Sequence, residues 1–475
     1  MKKDNVALFL KYTLFTLALG ATLTLLFFAW LGQDSPVPQT KEQRLALKHN
    51  RKPASERLGN MEGVLAPGKG KPSALPGDWP QLRGPARDNI GQSKIALKTN
   101  WPAGTTPPVL WRVSMGEGHA GATIHNGCVY VVDYDRARQM DAIRCLSLDD
   151  GTEIWRYSYP VEIKRNHGMS RTVPVVTDDY VVSIGPLCHV HCLDAKTGKV
   201  IWKKDMTKEY ATEVPPWYAG QCPILDGKNL LLAPGGKPLL LSLDLATGNE
   251  VWRTAPDLDG MGMTHTSITI AEIGGVRQLV YCTKQGVVGL AAADGKLLWK
   301  DPAWKNGIAN VPTPVWLGDD RIYFSCGYGT GGMMLKVSPD GSGFKVDELY
   351  RKKPEEFGSD QQTPIFYKGY LYDVLPKPSE LACMAPDGKR MWASGESRFG
   401  LGPYMIVNDL LLAVNDETGE LTIAKADPAA YQELAKMPLL KGHDAWAPMA
   451  FAEGRLILRD LTEMICVDLG GNKTK

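Results

Sequence analysis

Apolar and polar positions along this chain form a repeating unit. Each unit is a run of aliphatic residues, then an aspartate, a glycine turn and a short second run ending in tryptophan. Such runs predict β-strands, and the turn predicts a reversal between them. Five copies lie at residues 145–155, 192–202, 241–252, 289–299 and 382–392. Their tryptophans are 47, 50, 47 and 93 residues apart. A period of about 45 residues with this pattern predicts the blades of a β-propeller.

A second set of strand pairs gives the number of blades. Each pair begins with small or polar residues and is split by a turn such as Asn126-Gly127, which is typical of a β-hairpin. Eight openings begin at Gly121, Arg171, Gln221, His265, Val311, Gln361, Gly402 and Ala445. We therefore expect an all-β fold, an eight-bladed β-propeller of four-stranded blades, over residues 78–471.

The eighth blade lacks its own tryptophan strand, because none follows residues 465–471. Residues 109–113, VLWRV, form a tryptophan strand that precedes the first blade and belongs to no other unit. We expect this strand to complete the eighth blade, since closing the ring with both ends of the propeller removes unpaired sheet edges. In the fifth blade, Tyr350 stands where the tryptophan is expected.

The N-terminal part differs in composition from the repeats. Residues 12–31 are uncharged and rich in Leu, Phe and Ala, long enough to span a bilayer as a helix. Ala29-Trp30-Leu31-Gly32 is a poor cleavage site, so we expect an uncleaved signal anchor after a cytoplasmic N-terminus at residues 1–11. Residues 32–77 are rich in Pro, Gly, Lys and Arg, and this composition predicts a flexible linker.

Charge and cysteine content exclude two classes of protein. Lys and Arg number 54 against 52 Asp and Glu, so no basic field favours a nucleic-acid partner. The nine cysteines form no Cys-x-x-Cys pair and do not indicate a disulfide framework. Most lie in strand-like runs, where cysteine acts as a small buried apolar residue.

The sequence Cys188-His189-Val190-His191-Cys192 resembles a metal site at first sight. Successive side chains of a strand point to opposite faces, so the two histidines share one face and the two cysteines share the other. All four cannot bind one tetrahedral zinc ion. We expect a structural strand, with a partial two-histidine site as the alternative, and we predict no metal.

Chemistry is expected where the innermost strands of the blades begin, since these ends and the preceding loops form one mouth of the channel. Aligning the eight openings places the following residues at that mouth: His119, His167, Arg171, Tyr218, Gln221, His265, Asn310, Asp360, Gln361, Gln362, Tyr404 and Trp446. They form a solvated rim, a binding site for an anion or sugar, or a catalytic site; no catalytic residue can be named. Residues 205–217 form a longer loop, either a lid or a packed insertion.

The best-formed repeats, residues 193–202 and 243–252, follow the pattern A-x-D-x-x-T-G-x-x-x-W. This pattern resembles the repeat of the PQQ-type propellers, which include quinoprotein alcohol dehydrogenases and BamB-type outer-membrane assembly factors. Residues 78–91, DWPQLRGPARDNIG, resemble the lead-in of many membrane-anchored or exported members. The resemblance implies a single-pass inner-membrane protein with its propeller on the periplasmic side.

The resemblance leaves two functions open. One is a non-enzymatic binding or scaffold propeller of the cell envelope, engaging an envelope protein or polymer. The other is a PQQ-type oxidoreductase that acts on an alcohol or sugar. The dehydrogenases carry a vicinal cysteine pair over the quinone and a calcium site, and some carry a Cys-x-x-Cys-His haem motif. This chain has neither a vicinal cysteine pair nor that motif. We therefore expect no cofactor, with PQQ and calcium as the alternative.

Overall fold

The computed structural model describes residues 61–102 and 104–470. Eight antiparallel sheets follow one another along the chain. In each of the first four, the strands run in sequence order from the channel outward. Blade 1 comprises Ala122–His125, Cys128–Asp135, Met140–Ser147 and Glu153–Pro160; blade 2 comprises Val175–Val176, Tyr180–Ile184, His189–Asp194 and Val200–Asp205. Blade 3 comprises Ile224–Asp226, Asn229–Leu232, Leu241–Asp244 and Glu250–Arg253; blade 4 comprises Thr269–Ile273, Val276–Thr283, Gly286–Ala291 and Leu297–Asp301.

The last four blades include the closure of the ring. Blade 5 comprises Val315–Trp316, Arg321–Cys326, Gly331–Asp340 and Gly343–Lys352; blade 6 comprises Ile365–Tyr367, Tyr370–Val374, Glu380–Met384 and Arg390–Arg398. Blade 7 comprises Tyr404–Val407, Leu410–Val414, Glu420–Lys425 and Glu433–Pro438; blade 8 comprises Ala450–Ala452, Arg455–Arg459, Glu463–Asp468 and Val109–Ser114. Val109–Ser114 pairs antiparallel with Glu463–Asp468, so the predicted closing strand and the predicted eight-bladed fold are confirmed.

The repeated glycine and tryptophan form one contact between adjacent blades. The ring of Trp155 in blade 1 lies against Gly198 in blade 2, where an added Cβ would lie 2.6 Å from the ring. Gly198 also has φ +72°, a conformation that glycine adopts without strain. The Trp155 indole N–H donates to the carbonyl of Ala195, 3.1 Å away, in the same turn. In blade 5, Tyr350 donates to the carbonyl of Pro386 in the next blade and so replaces the tryptophan.

A chain of hydrogen bonds runs around the channel just before the inner strands. The backbone N–H of Val173 donates to Cys222 Sγ, and that of Cys222 donates to Ser267 Oγ. The N–H of Ser267 donates to Thr313 Oγ1, and that of Thr313 to Thr363 Oγ1. These residues occupy equivalent positions in blades 2 to 6. Each small side chain satisfies a backbone donor of the preceding blade, which is otherwise left without a ladder partner.

The segment before blade 1 is more ordered than its composition predicts. Val64–Pro67 pairs antiparallel with Glu153–Pro160 and becomes a fifth, outermost strand of blade 1. The flexible-linker prediction for residues 32–77 therefore fails at these residues, because main-chain pairing to a free sheet edge needs no apolar periodicity. The predicted anchor, residues 12–31, lies outside the described residues. Within residues 61–102 and 104–470, no helix is long and apolar enough to cross a bilayer.

The lead-in, residues 78–91, fills the channel below the mouth and serves as a plug. Trp79 is 2% exposed and exchanges backbone hydrogen bonds with Ile124 of blade 1. The carbonyl of Pro80 accepts from the N–H of Val176 in blade 2. At its other end, Ile90–Gly91 pairs parallel with the inner strand of blade 7. The plug thus ties together blades from both ends of the propeller.

Candidate functional site

A cavity of about 420 Å³ lies at the channel mouth. Its wall contains a layer of eight equivalent positions, one from each blade. In blades 2 to 6 the layer residue lies two positions before the residue of the hydrogen-bonded chain around the channel, and in the other blades it lies at the matching position. That layer is His119, Arg171, Gly220, His265, Val311, Gln361, Leu401 and Trp446. The plug contributes Leu82, Arg83 and Asn89 on the channel side. The predicted location of the site, at the starts of the inner strands, therefore coincides with the cavity.

Arg171 is the central cation of this layer. Its Nη2 donates to the carbonyls of Asn166 and His167, at 3.1 and 3.2 Å, while its buried Nε–H has no acceptor. No carboxylate of the described residues lies within ion-pairing distance of Arg171. Burial lowers its pKa to about 10, so the guanidinium is charged at neutral pH. Among the described residues, its hydrogen-bond acceptors are backbone carbonyls.

Arg83 supplies a second guanidinium from the plug. It is 8% exposed, and its Nη2 donates to the carbonyls of Pro364 and Asp88 at 2.8 and 3.3 Å. Its Nε–H is buried without an acceptor, and no described carboxylate forms an ion pair with it. Burial lowers the pKa of Arg83 to about 10. A charge buried without a partner is costly, and a ligand of opposite sign removes that cost.

Two histidines on the same wall are held neutral. His119 is 6% exposed and stacks on Trp446, with ring centroids 4.4 Å apart. Burial, and then the charge of Arg171, lower the pKa of His119 to about 3 and that of His265 to about 4. Carbonyls of His167 and Asp444 partly oppose the shift of His119, although neither ring nitrogen makes a well-formed hydrogen bond. Both imidazoles therefore offer a neutral N–H and a lone pair.

The mouth is framed by loops with strained backbone and exposed apolar side chains. His167 and Tyr328 both have φ +51°, in the left-handed region that non-glycine residues rarely adopt. Arg83 and Asn89 of the plug have φ +63° and +65°. Such conformations cluster at ligand sites because the surrounding structure must hold them. Ile308, 57% exposed, completes the rim beside Tyr328, which is 37% exposed.

Eight of the twelve residues predicted at the mouth line the cavity: His119, His167, Arg171, His265, Gln361, Gln362, Tyr404 and Trp446. Asp360 does not line the cavity, and its carboxylate accepts from the N–H of Tyr328.

Gln221, Tyr218 and Asn310 do not line the cavity. Gln221 is completely buried and pairs with both backbone groups of Ala233. The equivalent of Arg171 in blade 3 is Gly220, so the predicted alignment was one residue out, and one residue reverses the side-chain direction. The hydroxyl of Tyr218 donates to the carbonyl of Lys164, away from the cavity. The Asn310 carbonyl instead accepts from the N–H of His265.

Sequence reasoning missed Arg83, Asn89, Trp217 and Tyr328, because the plug and the inter-blade loops lie outside the repeat. Trp217 ends the long loop at residues 205–217, whose first part is packed, with Met206 and Tyr210 buried. That loop is therefore a packed insertion that contributes one side chain to the cavity. The presence of an arginine in a buried-looking Trp-x-x-x-Arg-Gly lead-in was the available signal for Arg83.

The side chains of residues 188–192 divide as predicted, although the strand begins only at His189. Cys188 and Cys192 pack among apolar residues between blades 2 and 3, while the ring centroids of His189 and His191 lie 5.7 and 4.2 Å from that of Tyr159 in blade 1. No cluster of His, Cys, Asp and Glu suited to a metal occurs among the described residues. All nine cysteines are buried and free.

Two buried carboxyl groups lie between blades. Asp141 accepts from the Tyr159 hydroxyl at 2.7 Å, and burial raises the pKa of Asp141 to about 7. Asp373 accepts from Ser325 Oγ at 2.8 Å and from the hydroxyl of Tyr404, a cavity residue, at 3.2 Å. Burial raises the pKa of Asp373 to about 8. Both carboxyl groups are therefore mainly neutral in mildly acidic solution.

These groups predict a stability maximum near pH 6.5. A raised carboxyl pKa lowers the free energy of unfolding as pH rises, from the unfolded pKa up to about 7 for Asp141 and 8 for Asp373. Lowered histidine pKa values reduce it as pH falls below about 6.5. The buried histidines, with pKa values of about 3 or 4, are His119, His189, His191 and His265. Below pH 6.5 the four histidines change the unfolding free energy more steeply than the two carboxyl groups do, so the free energy of unfolding falls as the solution becomes more acidic.

Between pH 6.5 and 8, the wild type should lose on the order of 2 kcal/mol more unfolding free energy than Asp373→Asn. The thermal midpoint of Asp373→Asn should therefore fall less than that of the wild type over this range. Asp387→Asn, at an exposed turn of blade 6, serves as the control and should follow the wild-type curve. Parallel curves for Asp373→Asn and wild type would show that this carboxyl does not ionise in the range.

Comparison with known proteins gives the same fold. A family model described as outer membrane protein assembly factor BamB matches residues 139–394, more than half of the chain. A segment of 130 residues is 30% identical to a quinohemoprotein alcohol dehydrogenase of Comamonas testosteroni, over 26% of this chain and only 17% of that protein. The curated relative is thus matched over a small part of its length.

Solved structures share the architecture at low identity. The crystal structure of the Comamonas testosteroni enzyme superposes with TM-score 0.58 and 12% identity, over 83% of this chain and 81% of that chain. BamB from Moraxella catarrhalis superposes with TM-score 0.53 and 10% identity, over 76% and 100%. These likenesses show the fold alone. Because the family model covers more than half of the chain and the repeat and blade count agree with it, the chain belongs to the BamB-type family of PQQ-like β-propellers.

Proposed function

We propose that this chain is a non-enzymatic binding propeller of the cell envelope whose channel-mouth cavity binds an anionic ligand. The observation that carries the proposal is that Arg83 and Arg171 both line one cavity and have no ion-pair partner among the described residues. None of the side chains lining the cavity is a carboxylate. The cavity is therefore an electropositive enclosure in which charge-assisted hydrogen bonds are strong.

Unsatisfied buried donors also favour a ligand. The buried Nε–H groups of Arg83 and Arg171, two residues that line this cavity, have no hydrogen-bond acceptor among the described residues. Most buried polar groups in proteins are paired, so two unpaired donors on residues of one cavity favour a polar ligand or ordered water there.

Binding is favoured over catalysis by the proton affinities of the site. A general acid or base works best with a pKa near the operating pH. Burial and Arg171 keep the pKa of His119 at about 3 and that of His265 at about 4, far below neutral pH. Neither imidazole can deliver a proton at pH 7, and no carboxylate lines the wall to do so.

The alternative, a PQQ-type oxidoreductase, requires a different donor set. Calcium takes six to eight oxygen ligands, mainly carboxylates and carbonyls. The lining offers no carboxylate, and Gln362 is engaged with the carbonyls of Gly400 and Gly402. The residues present do not fit a calcium-assisted quinone.

Anion binding is tested with a pair of probes of equal size, hexanoate and hexanamide. The full-length chain in non-ionic detergent should bind hexanoate at one site and hexanamide at least tenfold more weakly, measured by saturation-transfer NMR. The expected ratio follows from the loss of one charge-assisted hydrogen bond, about 1.5–3 kcal/mol. Equal binding of the two probes, or binding of neither, would refute the anion site.

The envelope location is the second part of the proposal. It rests on the apolar run at residues 12–31 and on the family description, and it places the propeller on the periplasmic side, available to an envelope protein or polymer and not to nucleic acid. In alkaline carbonate extraction, the full-length chain should remain with the inner membrane and a variant lacking residues 1–32 should be released. Release of the full-length chain would contradict the anchor.

A further inference from the structure

The cavity is a dead end, and this limits the shape of its ligand. The plug bonds to the inner strands of blades 1, 2 and 7 below the mouth, and its residues Leu82, Arg83 and Asn89 line the cavity. The plug is fixed by hydrogen bonds to blades on both sides of the closure: in blade 7, the side-chain amide of Asn89 donates to the carbonyl of Tyr404, and the Asn89 carbonyl accepts from the N–H of Ile406. A volume of about 420 Å³ is in the lower part of the usual range for small-molecule sites. A long ligand can therefore enter only by one end.

The wall selects a ligand that combines an anionic group with an apolar body. Leu82, Val173, Val311, Leu401 and Met449 contribute apolar surface. The polar side chains are mostly engaged: Ser267, Thr313 and Thr363 each accept a backbone N–H, and Gln362 is satisfied by three partners. Since no carboxylate lines the cavity, the acceptors for ligand hydroxyls are limited to groups such as the lone pairs of His119 and His265, whereas a carboxylate needs only donors, which Arg83 and Arg171 supply. This argues against a polyhydroxyl ligand.

The rim indicates that the ligand continues outside. Ile308 and Tyr328 are exposed at the mouth, and Trp217 stands beside His265, with ring centroids 6.2 Å apart. A polypeptide can leave such a mouth into water because its backbone is polar. A long acyl chain would leave apolar surface in water beyond these few side chains.

We infer that the cavity captures the C-terminal end of a polypeptide, with the terminal carboxylate at Arg171 and a large apolar last side chain inside the cavity. This inference rests on the proposed anion site and names its ligand class. The end of a polypeptide that carries a negative charge and can enter such a cavity is its C-terminus. Capture of C-terminal carboxylates is a recurring recognition mode.

The test uses the full-length chain in non-ionic detergent and an N-terminally dye-labelled pentapeptide, Gly-Ser-Gly-Gly-Phe, in fluorescence anisotropy. The free acid should bind at least tenfold more tightly than its C-terminal amide and than the peptide ending in Ser. Unlabelled competitors should rank pentapeptide, then N-acetylphenylalanine, then D-glucuronate. Ile308→Ser should weaken the pentapeptide severalfold and leave N-acetylphenylalanine unchanged, whereas Val251→Ser, at a similarly exposed apolar residue on blade 3, should change neither.

The outcomes separate this inference from the proposed function. If hexanoate binds and the pentapeptide does not, the anion site stands and the peptide inference falls. Equal affinity for glucuronate, tighter binding of dodecanoate than of the pentapeptide, or an amide that binds as well as the acid would each overturn it. If neither hexanoate nor any peptide binds, the proposed function fails as well.

Discussion

Trp111→Ala should destabilise the propeller by about 3–5 kcal/mol, the range for removing a buried large aromatic side chain. Trp111 is 6% exposed, and its indole N–H donates to the carbonyl of Leu148 in blade 1 at 3.0 Å. It lies on the strand that closes blade 8 and packs against Gly151, so one side chain joins the first and last blades. The change should lower the urea midpoint and also remove amide-exchange protection from residues 463–468.

Trp202→Ala provides the matched control within the ring. Trp202 makes the same contact, donating to the carbonyl of Leu245 at 2.8 Å, but it is only half-buried and joins two blades that are consecutive in the chain. Its loss should be smaller and should leave residues 463–468 protected. Equal destabilisation by the two changes, with protection of 463–468 unaltered in Trp111→Ala, would contradict the closure argument.

Arg171→Ala should weaken hexanoate binding about 10- to 100-fold, since a hydrogen bond to a charged group contributes about 1.5–3 kcal/mol. The change removes the central cation and should also raise the pKa of His119 and of His265, which its charge now lowers. Arg171→Lys should retain part of the affinity, because the charge remains while the planar fork is lost. Affinity is measured by saturation-transfer NMR, and thermal midpoints verify that each variant folds.

The control for this change lies on the same loop. Arg165 is about half exposed and pairs with Glu117, outside the cavity lining. Arg165→Ala should therefore leave hexanoate affinity unchanged while removing an equal charge from the loop. If both alanine variants weaken binding to the same extent, the effect is a general electrostatic one and the cavity is not the site.

The fold was predictable because local and tertiary requirements agree at the repeat. The glycine that turns the chain is also the surface on which the preceding blade's tryptophan packs, as at Gly198 and Trp155. The tryptophan strand at residues 109–113 could be assigned to blade 8 because that blade lacked its fourth strand and this strand belonged to no other blade. Val64–Pro67 could not be found this way, since edge pairing depends on main-chain groups that carry no side-chain pattern.

The site was predictable in position and less so in detail. The mouth residues of most blades were located because each precedes an inner strand at a fixed distance. The prediction that Gln221 lines the mouth was wrong because the alignment of blade 3 was shifted by one residue. That shift placed a core residue at a wall position, which Gly220 occupies. Arg83 was missed because the plug lies outside the repeat and reaches the cavity only through tertiary contacts with blades 6 and 7.

The most direct test of the anion site is a crystal structure of the protein with saturating hexanoate. We predict density for the ligand in the cavity, with a carboxylate oxygen about 3 Å from a guanidinium nitrogen of Arg171 and the alkyl chain against the apolar wall at Leu401 and Met449. Hexanoate bound only elsewhere on the propeller, with the cavity filled by ordered water, would contradict it.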